Sequence, residues 1–200
     1  LISMGGVSKA IKDVVKEVSL FNNSRLAFHT YSQANDYELS SEPIIVGNGF
    51  DLGNYNFKEK TGGPLGWAGR VAPEKGLEDA VAVADELKET LNVWGFIEDH
   101  NYAKKVESSF PKGTISWRGF LTTEEFQEQL GECRVLINTP KWNEAFGNVV
   151  VESLACGVPV VAYKRGGPGE LIDNGITGWL APPDDLKGLI SGVLNVNQID

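Results

Sequence analysis

Short apolar runs and stretches of helical spacing take turns along the chain from residue 62 onward, and this alternation constrains the fold most strongly. The apolar runs, each of strand length, lie at 65–69, 92–97, 115–118, 134–139 and 158–163. The helical stretches between them lie near 75–89, 99–109, 123–133 and 147–156. Such alternation is typical of parallel strands, because right-handed crossovers place the helices on both faces of the sheet. The sequence therefore predicts an α/β fold with a doubly wound parallel sheet.

The two ends of the chain are less regular. Apolar residues at 7–18 fall on one helical face. Short strands are predicted at 25–31 and 44–46, and the polar stretch 32–43 between them is interpreted as a linker. Helical spacing returns at 183–196 and then stops. Because the first residue is Leu and not Met, we expect a fragment whose natural beginning is absent.

The acidic balance of the chain limits its partners. It has 27 Asp and Glu residues against 18 Lys and Arg residues, which gives a net charge of −9. Nucleic acid and anionic lipid attract clustered basic residues, so neither is predicted as the main partner. Any phosphate must then be bound by a few local cations.

Cysteine usage and hydropathy predict a reducing, cytoplasmic setting. Cys133 and Cys156 lie in apolar surroundings without a Cys-x-x-Cys spacing, so we predict buried reduced thiols. The start of the chain lacks the parts of a signal peptide. The most apolar region, 149–163, is interrupted by Glu152, Gly157 and Pro159 before it reaches the roughly 20 residues that a bilayer requires, so no membrane span is predicted.

Two cations follow the strand at 65–69, where an open parallel sheet places its ligand crevice. Arg70 lies at the strand end and Lys75 at the start of the next helix, where backbone N–H groups add positive potential. A P-loop is excluded because Glu74 and Gly76 stand where that motif needs Gly and Ser or Thr. Two interpretations stay open, a diphosphate site and a solvated pair of cations on a surface loop.

A second candidate segment, 144–152, follows the strand at 134–139 and enters a helix. Glu144 is predicted in the loop, where it accepts hydrogen bonds from sugar hydroxyls or complements the helix dipole. Gly147 lets a ligand approach the first N–H groups of the helix. Glu152 lies inside the helix and either reaches ribose hydroxyls or faces solvent. Periodicity does not decide between these alternatives.

The remaining motifs are incomplete or ambiguous. The Gly-Asn-Gly run at 47–49 lacks the third glycine of the dinucleotide fingerprint, so NAD binding is discounted. Neither His29 nor His100 has a partner at metal-ligand spacing and no Asp-x-Asp pair is present, so we expect no metal and structural histidines. The run Gly-Gly-Pro-Gly-Glu at 166–170 either permits close approach of a ligand or forms an ordinary turn.

Taken in this order, the segments resemble the family 4 (group 1) retaining glycosyltransferases, which have the GT-B fold. The resemblance covers about residues 43–185 and implies the Rossmann-like C-terminal half of that fold, with a truncated N-terminal segment. The paired glutamates joined to Gly-Val-Pro-Val-Val-Ala are its most specific part. The matching pieces are Val46 to Asp51, Gly69 to Gly76, Glu144 to Glu152, Ala155 to Ala162, and Gly166, Gly167 and Glu170.

The resemblance implies a role for each candidate residue in binding a nucleoside diphosphate sugar. Arg70 and Lys75 would bind the diphosphate, together with Gly6 in what looks like the family's glycine loop, Gly5 and Gly6. Glu144 would bind the donor sugar as the catalytic residue.

The other half of the nucleotide is implied in the same way. Glu152 would bind the ribose, and Phe120 and Leu121 would seat the base. The backbone that would hold sugar and phosphate oxygens belongs to Phe146, Gly147, Asn148 and Val149.

As a family member, the chain would act in a retaining sugar transfer from a nucleoside diphosphate sugar to an unknown acceptor, such as a sugar, a lipid-linked sugar or a small molecule. No metal or other cofactor is expected. The implied parts are a remnant of the acceptor-side domain with glycine loop and linker (1–42), the donor-binding domain (43–185) and the start of a truncated C-terminal helix (186–200). We expect donor binding with little transfer by this chain alone, and peripheral membrane association through the absent N-terminal domain.

Two alternatives share this layout. A GT-B sugar-nucleotide epimerase would need additional acid and base residues near the sugar. A non-catalytic nucleotide-sugar-binding module would need none, and the short N-terminal part of the chain is compatible with it.

Overall fold

The structure, a computed structural model, describes residues 9–59 and 62–196. Its first part is a small unit in which two short parallel strands pack against helices. The elements are helix α1 (Lys9–Asn22), strand β1 (Ala27–Phe28), helix α2 (Tyr31–Ala34) and strand β2 (Ile44–Ile45). We call residues 9–48 the N-terminal unit. The predicted glycine loop, Gly5 and Gly6, lies outside the described residues.

The stretch predicted as a linker is partly folded into this unit. Ala34 and Tyr37 are buried in a small core with Val15 and Phe28. Helix α2 begins at Tyr31 because the Thr30 side chain caps its N-terminus, accepting a hydrogen bond from the backbone N–H of Gln33. The strand predicted at 25–31 is therefore shorter than expected.

The larger part of the described chain is built on six parallel strands. They are β3 (Leu65–Ala68), β4 (Leu91–Trp94), β5 (Ile115–Gly119), β6 (Val135–Asn138), β7 (Val160–Tyr163) and β8 (Gly178–Ala181). Five of them match the predicted apolar runs. The sequence did not predict β8, whose apolar part after Gly178 is only three residues long.

Helices cover both faces of this sheet. They are α3 (Leu77–Leu87), α4 (His100–Ser108), α5 (Thr123–Leu130), α6 (Asn148–Ala155), α7 (Pro168–Leu171) and α8 (Leu186–Asn195). Alternate strand residues divide between two cores: Ile137 packs into the core of α3, α4 and α8, whereas Leu136 packs into the core of α5 and α6. The doubly wound α/β prediction is confirmed.

The order of the strands fixes where a ligand can bind. Across the sheet the strands run β5-β4-β3-β6-β7-β8, so β3 lies between β4 and β6. The chain moves outward from β3 through β4 to β5 and then returns to β6. A crevice opens where strand order reverses in this way, at the carboxyl ends of the two central strands.

The N-terminal unit docks on this same edge of the sheet. Thr30 Oγ1 donates to the backbone oxygen of Ala145 at 2.8 Å, in the loop after β6. The Glu170 carboxylate accepts hydrogen bonds from the backbone N–H groups of Tyr31 and Ser32, the first turn of α2. The run at 166–170, predicted to lie at the ligand edge, thus uses its carboxylate to hold the N-terminal unit.

Replacement of Glu170 by Ala should destabilise the protein by about 1 kcal/mol, because two backbone N–H groups at a helix start lose their acceptor. Urea unfolding monitored by circular dichroism measures this. Glu86→Ala is the matched control, since Glu86 is exposed on α3 and makes no side-chain hydrogen bond to any described residue. Equal destabilisation of both variants would contradict the proposed docking contact.

Candidate functional site

A cavity of about 520 Å³ lies at the carboxyl ends of β3 and β6, between the sheet and the N-terminal unit. His29 and Asn48 line it from the N-terminal unit. The predicted site residues that the structure describes all line this one cavity: Arg70, Lys75, Phe120, Leu121, Glu144, Phe146, Gly147, Asn148, Val149 and Glu152. Gly6 lies outside the described residues.

Lys75 and Glu144 meet across the crevice. Lys75 ends a short 3-10 turn after β3, and its ammonium forms an ion pair with the Glu144 carboxylate. The side chains are only 20% and 15% exposed, and the ammonium also lies 4.9 Å from the centre of the Trp142 ring. A largely buried charge pair of this kind is held more firmly than a surface pair, because water screens it less.

Arg70 is engaged by carboxylates as well. Its guanidinium hydrogen-bonds Glu98, and it donates to Glu74 Oε1 at 2.9 Å. The hydrogen bond to Glu98 raises the pKa of Arg70 above its ordinary value. Sequence reasoning missed Glu98, which follows β4, because its contact with Arg70 depends on β4 lying beside β3.

Two glycines fix the position of Glu144. The backbone N–H of Gly167 donates to the backbone oxygen of Glu144 at 2.7 Å. A Cβ on Gly166 would lie 2.1 Å from that backbone oxygen, and a Cβ on Gly167 would lie 1.9 Å from the backbone oxygen of Phe146. Both distances are too short for a side chain at either position. The glycines thus permit close approach of the loop that carries Glu144. The sequence had left open whether they permit close approach of a ligand or form an ordinary turn.

The start of helix α6 forms one wall of the cavity. Gly147 precedes the helix with a φ of 98°, in the left-handed region that glycine adopts most easily. The first N–H groups of a helix lack partners within it, so those of Asn148 and Val149 are suited to an anion. Asn48 Nδ2 donates to Asn148 Oδ1 at 2.7 Å and links the N-terminal unit to this helix.

Glu152 is the fifth residue of α6 (Asn148–Ala155) and is partly buried. Its side chain makes no hydrogen bond or ion pair with any residue that the structure describes, and burial raises the pKa of its carboxyl group. Glu152 lines the cavity. This placement argues against the interpretation of Glu152 as a residue on the solvent face of an amphipathic helix.

The far end of the cavity is apolar. Phe120 follows β5 and is 81% exposed, whereas Leu121 packs partly buried beside Trp94 and Phe126. The rings of Trp94 and Phe126 meet edge to face at 5.8 Å. Exposed aromatic surface at the mouth of a cavity is suited to a planar ring.

The described residues contain neither a cluster of metal ligands nor a membrane-spanning helix. In residues 9–59 and 62–196, no group of three or more His, Cys, Asp and Glu side chains is arranged to hold a metal ion. Within the same ranges, no helix combines the length and apolarity needed to cross a bilayer.

A family model for glycosyl transferases group 1 matches residues 57–197, which is most of the chain. The chain belongs to this family. An uncharacterized glycosyltransferase of Methanocaldococcus jannaschii is 30% identical over 176 residues, covering 82% of this chain and 47% of that protein. Glycogen synthase of Mycobacterium tuberculosis is 29% identical over 166 residues, covering 78% of this chain and 40% of that enzyme. The chain thus spans about half the length of these curated relatives.

Two solved structures share the fold of this chain. Anabaena HepE, crystallised with UDP and glucose, superposes with a TM-score of 0.79 at 21% identity and covers 96% of this chain and 57% of its own. Sucrose-phosphate synthase of Thermosynechococcus elongatus superposes with a TM-score of 0.74 at 19% identity, covering 85% of this chain and 48% of its own. These neighbours bear out the predicted Rossmann-like half of a GT-B fold.

Substitution of Glu152 by Gln should stabilise the protein at about pH 7. Because burial raises the carboxyl pKa, the native state keeps this proton to higher pH than the unfolded chain, and stability falls as pH rises through that window. The melting temperature of the variant should therefore exceed that of the wild type near neutrality, with the gap closing below about pH 4. Thermal unfolding measured across this pH range tests the prediction.

Glu86→Gln is the control for that experiment, because it removes the same charge at an exposed position of α3. A wild type more stable than Glu152→Gln at neutral pH would mean that Glu152 has a stabilising partner.

Proposed function

We propose that this chain carries the donor-binding site of a retaining glycosyltransferase, which transfers a sugar from a nucleoside diphosphate sugar to an acceptor. One observation carries the proposal: two cations, the start of α6, two glutamates and an aromatic surface line a single cavity. Group 1 membership and the UDP-sugar complexes of the structural neighbours support the same ligand class.

The diphosphate would lie between the cations and helix α6. Lys75 and Arg70 would donate charge-assisted hydrogen bonds to phosphate oxygens, and the N–H groups of Asn148 and Val149 would donate from the opposite wall. Both cations are paired with carboxylates in the structure. Phosphate oxygens must therefore compete with Glu144 for Lys75 and with Glu98 for Arg70.

The nucleoside would occupy the remaining length of the cavity. Glu152 has two oxygens without partners among the described residues and would accept hydrogen bonds from the ribose hydroxyls. This use would explain why an unpaired carboxylate is kept partly buried. The base would stack on the surface of Phe120 and Leu121, which does not select one base over another.

The chemistry would rest on fixed charges. As the bond between sugar and phosphate breaks, negative charge grows on the diphosphate, and the cations and N–H groups stabilise it without reorganisation. Glu144 would accept hydrogen bonds from hydroxyls of the donor sugar and orient it. On this proposal the reaction needs no divalent metal, and the anomeric configuration is retained.

The acceptor would approach from the side of the N-terminal unit, which in this chain is short. The proposed parts are a remnant of the acceptor-side domain (1–42), the donor domain (43–185) and the beginning of a C-terminal helix (186–200). Analysis of reaction products from the full-length protein separates transfer to an acceptor from epimerisation of the donor. A chain that binds donor while the full-length protein forms no product would favour a binding module.

Substitution of Arg70 or Lys75 by Ala should weaken nucleoside diphosphate binding. The expected loss is about tenfold or more for Lys75→Ala, since a charge-assisted hydrogen bond contributes about 1.5–3 kcal/mol, and less for the more exposed Arg70. Calorimetric titration with UDP, GDP and ADP and their glucose conjugates, with Mg²⁺ or with a chelator, measures the affinity of each variant. Lys104→Ala removes an exposed charge outside the cavity and should change nothing.

The diphosphate assignment fails if both Arg70→Ala and Lys75→Ala bind as the wild type does. A requirement for Mg²⁺ would contradict only the metal-independent part of the proposal.

Replacement of Glu98 by Gln should have the opposite effect and strengthen binding of the same diphosphates. The substitution frees Arg70 from a competing carboxylate. Because an exposed ion pair of this kind contributes little energy, the affinity for the diphosphate should rise only about two- to fivefold. Glu86→Gln makes the same change in net charge far from the cavity and controls for long-range attraction. If Glu98→Gln and Glu86→Gln alter the affinity equally, Glu98 does not compete for Arg70.

A further inference from the structure

The side chain of His29 holds one unused hydrogen-bonding atom beside the cavity. His29 directly follows β1, is only 5% exposed and lines the cavity. Its Nδ1 lies 3.0 Å from the backbone oxygen of Gly47. Gly47 follows Val46, whose backbone N–H donates to the oxygen of Phe28 in β1. A carbonyl oxygen can only accept, so Nδ1 carries the proton and Nε2 of the neutral ring has a free lone pair.

Nε2 is buried and has no hydrogen-bond partner within the part of the chain that the structure describes. Most buried polar atoms are satisfied, because leaving one without a partner destabilises the fold by about 1–3 kcal/mol. Neither a carboxylate nor another charged group bonds the ring among the described contacts. The atom is therefore an acceptor that lacks a donor.

The surroundings hold the ring in place. The backbone N–H of His29 donates to Gln33 Oε1 at 2.7 Å, and the next residue, Thr30, donates to the Ala145 oxygen. The ring of Phe146 meets the imidazole edge to face at 6.0 Å. His29 thus lies against the 144–146 loop, the same loop that carries the proposed sugar-binding carboxylate.

We propose that Nε2 of His29 accepts a hydrogen bond from a hydroxyl of the donor sugar and so distinguishes a nucleotide sugar from the bare nucleotide. The inference rests on the proposed function. A phosphate oxygen is itself an acceptor at neutral pH and gives no proton to Nε2, whereas a sugar hydroxyl does. The ribose hydroxyls are assigned to Glu152, which leaves those of the transferred sugar.

Two substitutions separate the ring nitrogens. The amide of Asn reaches about as far as Nδ1, so His29→Asn keeps a donor for Gly47 and removes the acceptor at Nε2. The longer amide of Gln places its oxygen near Nε2. Titration calorimetry with UDP and UDP-glucose should show a loss of about fivefold to tenfold in UDP-glucose affinity for His29→Asn, with UDP affinity unchanged and His29→Gln close to wild type.

A measurement on the wild type guards against misfolding of the variants. The chain has only two histidines, His29 and His100, so an NMR spectrum of the protein with ¹⁵N-labelled histidine contains two rings. The Nε2 resonance of His29 should move upfield with UDP-glucose and not with UDP. The exposed His100 is the internal control, and His100→Asn assigns the two rings.

The outcomes distinguish the two proposals. Equal losses of UDP and UDP-glucose affinity in His29→Asn, or an Nε2 resonance that responds to both ligands alike or to neither, would overturn the role of His29 while donor binding stands. A wild type that binds none of UDP, GDP, ADP and their glucose conjugates would overturn the proposed function and the role of His29 with it.

Discussion

The place of β3 between β4 and β6 determines where the candidate site lies. The loops that follow β3 and β6 diverge from this point and leave a crevice between them. Lys75 comes from the first loop and Glu144 from the second, 69 residues later in the chain, and their ion pair spans the crevice. The aromatic surface near β5 and the wall of α6 take their positions from the same strand order.

Electrostatics at the crevice follow from the acidic balance of the chain. With a net charge of −9, the cations that line the cavity are each paired with carboxylates. On the proposed function, the affinity for a diphosphate is a difference between two sets of charge-assisted hydrogen bonds, those to phosphate and those to glutamate. On that proposal, a small monovalent anion would bind weakly, because it would not replace both glutamates at once.

Sequence patterns predicted the larger features for a physical reason. A buried parallel strand needs a continuous apolar run, and a covering helix needs an apolar face, so both leave a signal in the order of residues. Strand β8 was missed because its apolar part is too short to stand out. The burial of Tyr37 was missed because a single aromatic residue in a polar stretch has no period.

Contacts between distant segments left no such signal. Glu98 meets Arg70 only because their strands are neighbours, and His29 meets Gly47 only because β1 pairs with β2. A lone histidine was therefore predicted to be structural. The roles assigned to Arg70, Lys75 and the paired glutamates remain predictions, although the structure brings these residues to one cavity.

The run at 166–170 has neighbours on two sides. Its glycines lie against the backbone of Glu144 and Phe146, and its glutamate holds the first turn of α2. The same five residues therefore contact both the N-terminal unit and the loop that carries Glu144. The main-chain position of Glu144 thus depends on a segment that also anchors the opposite side of the crevice.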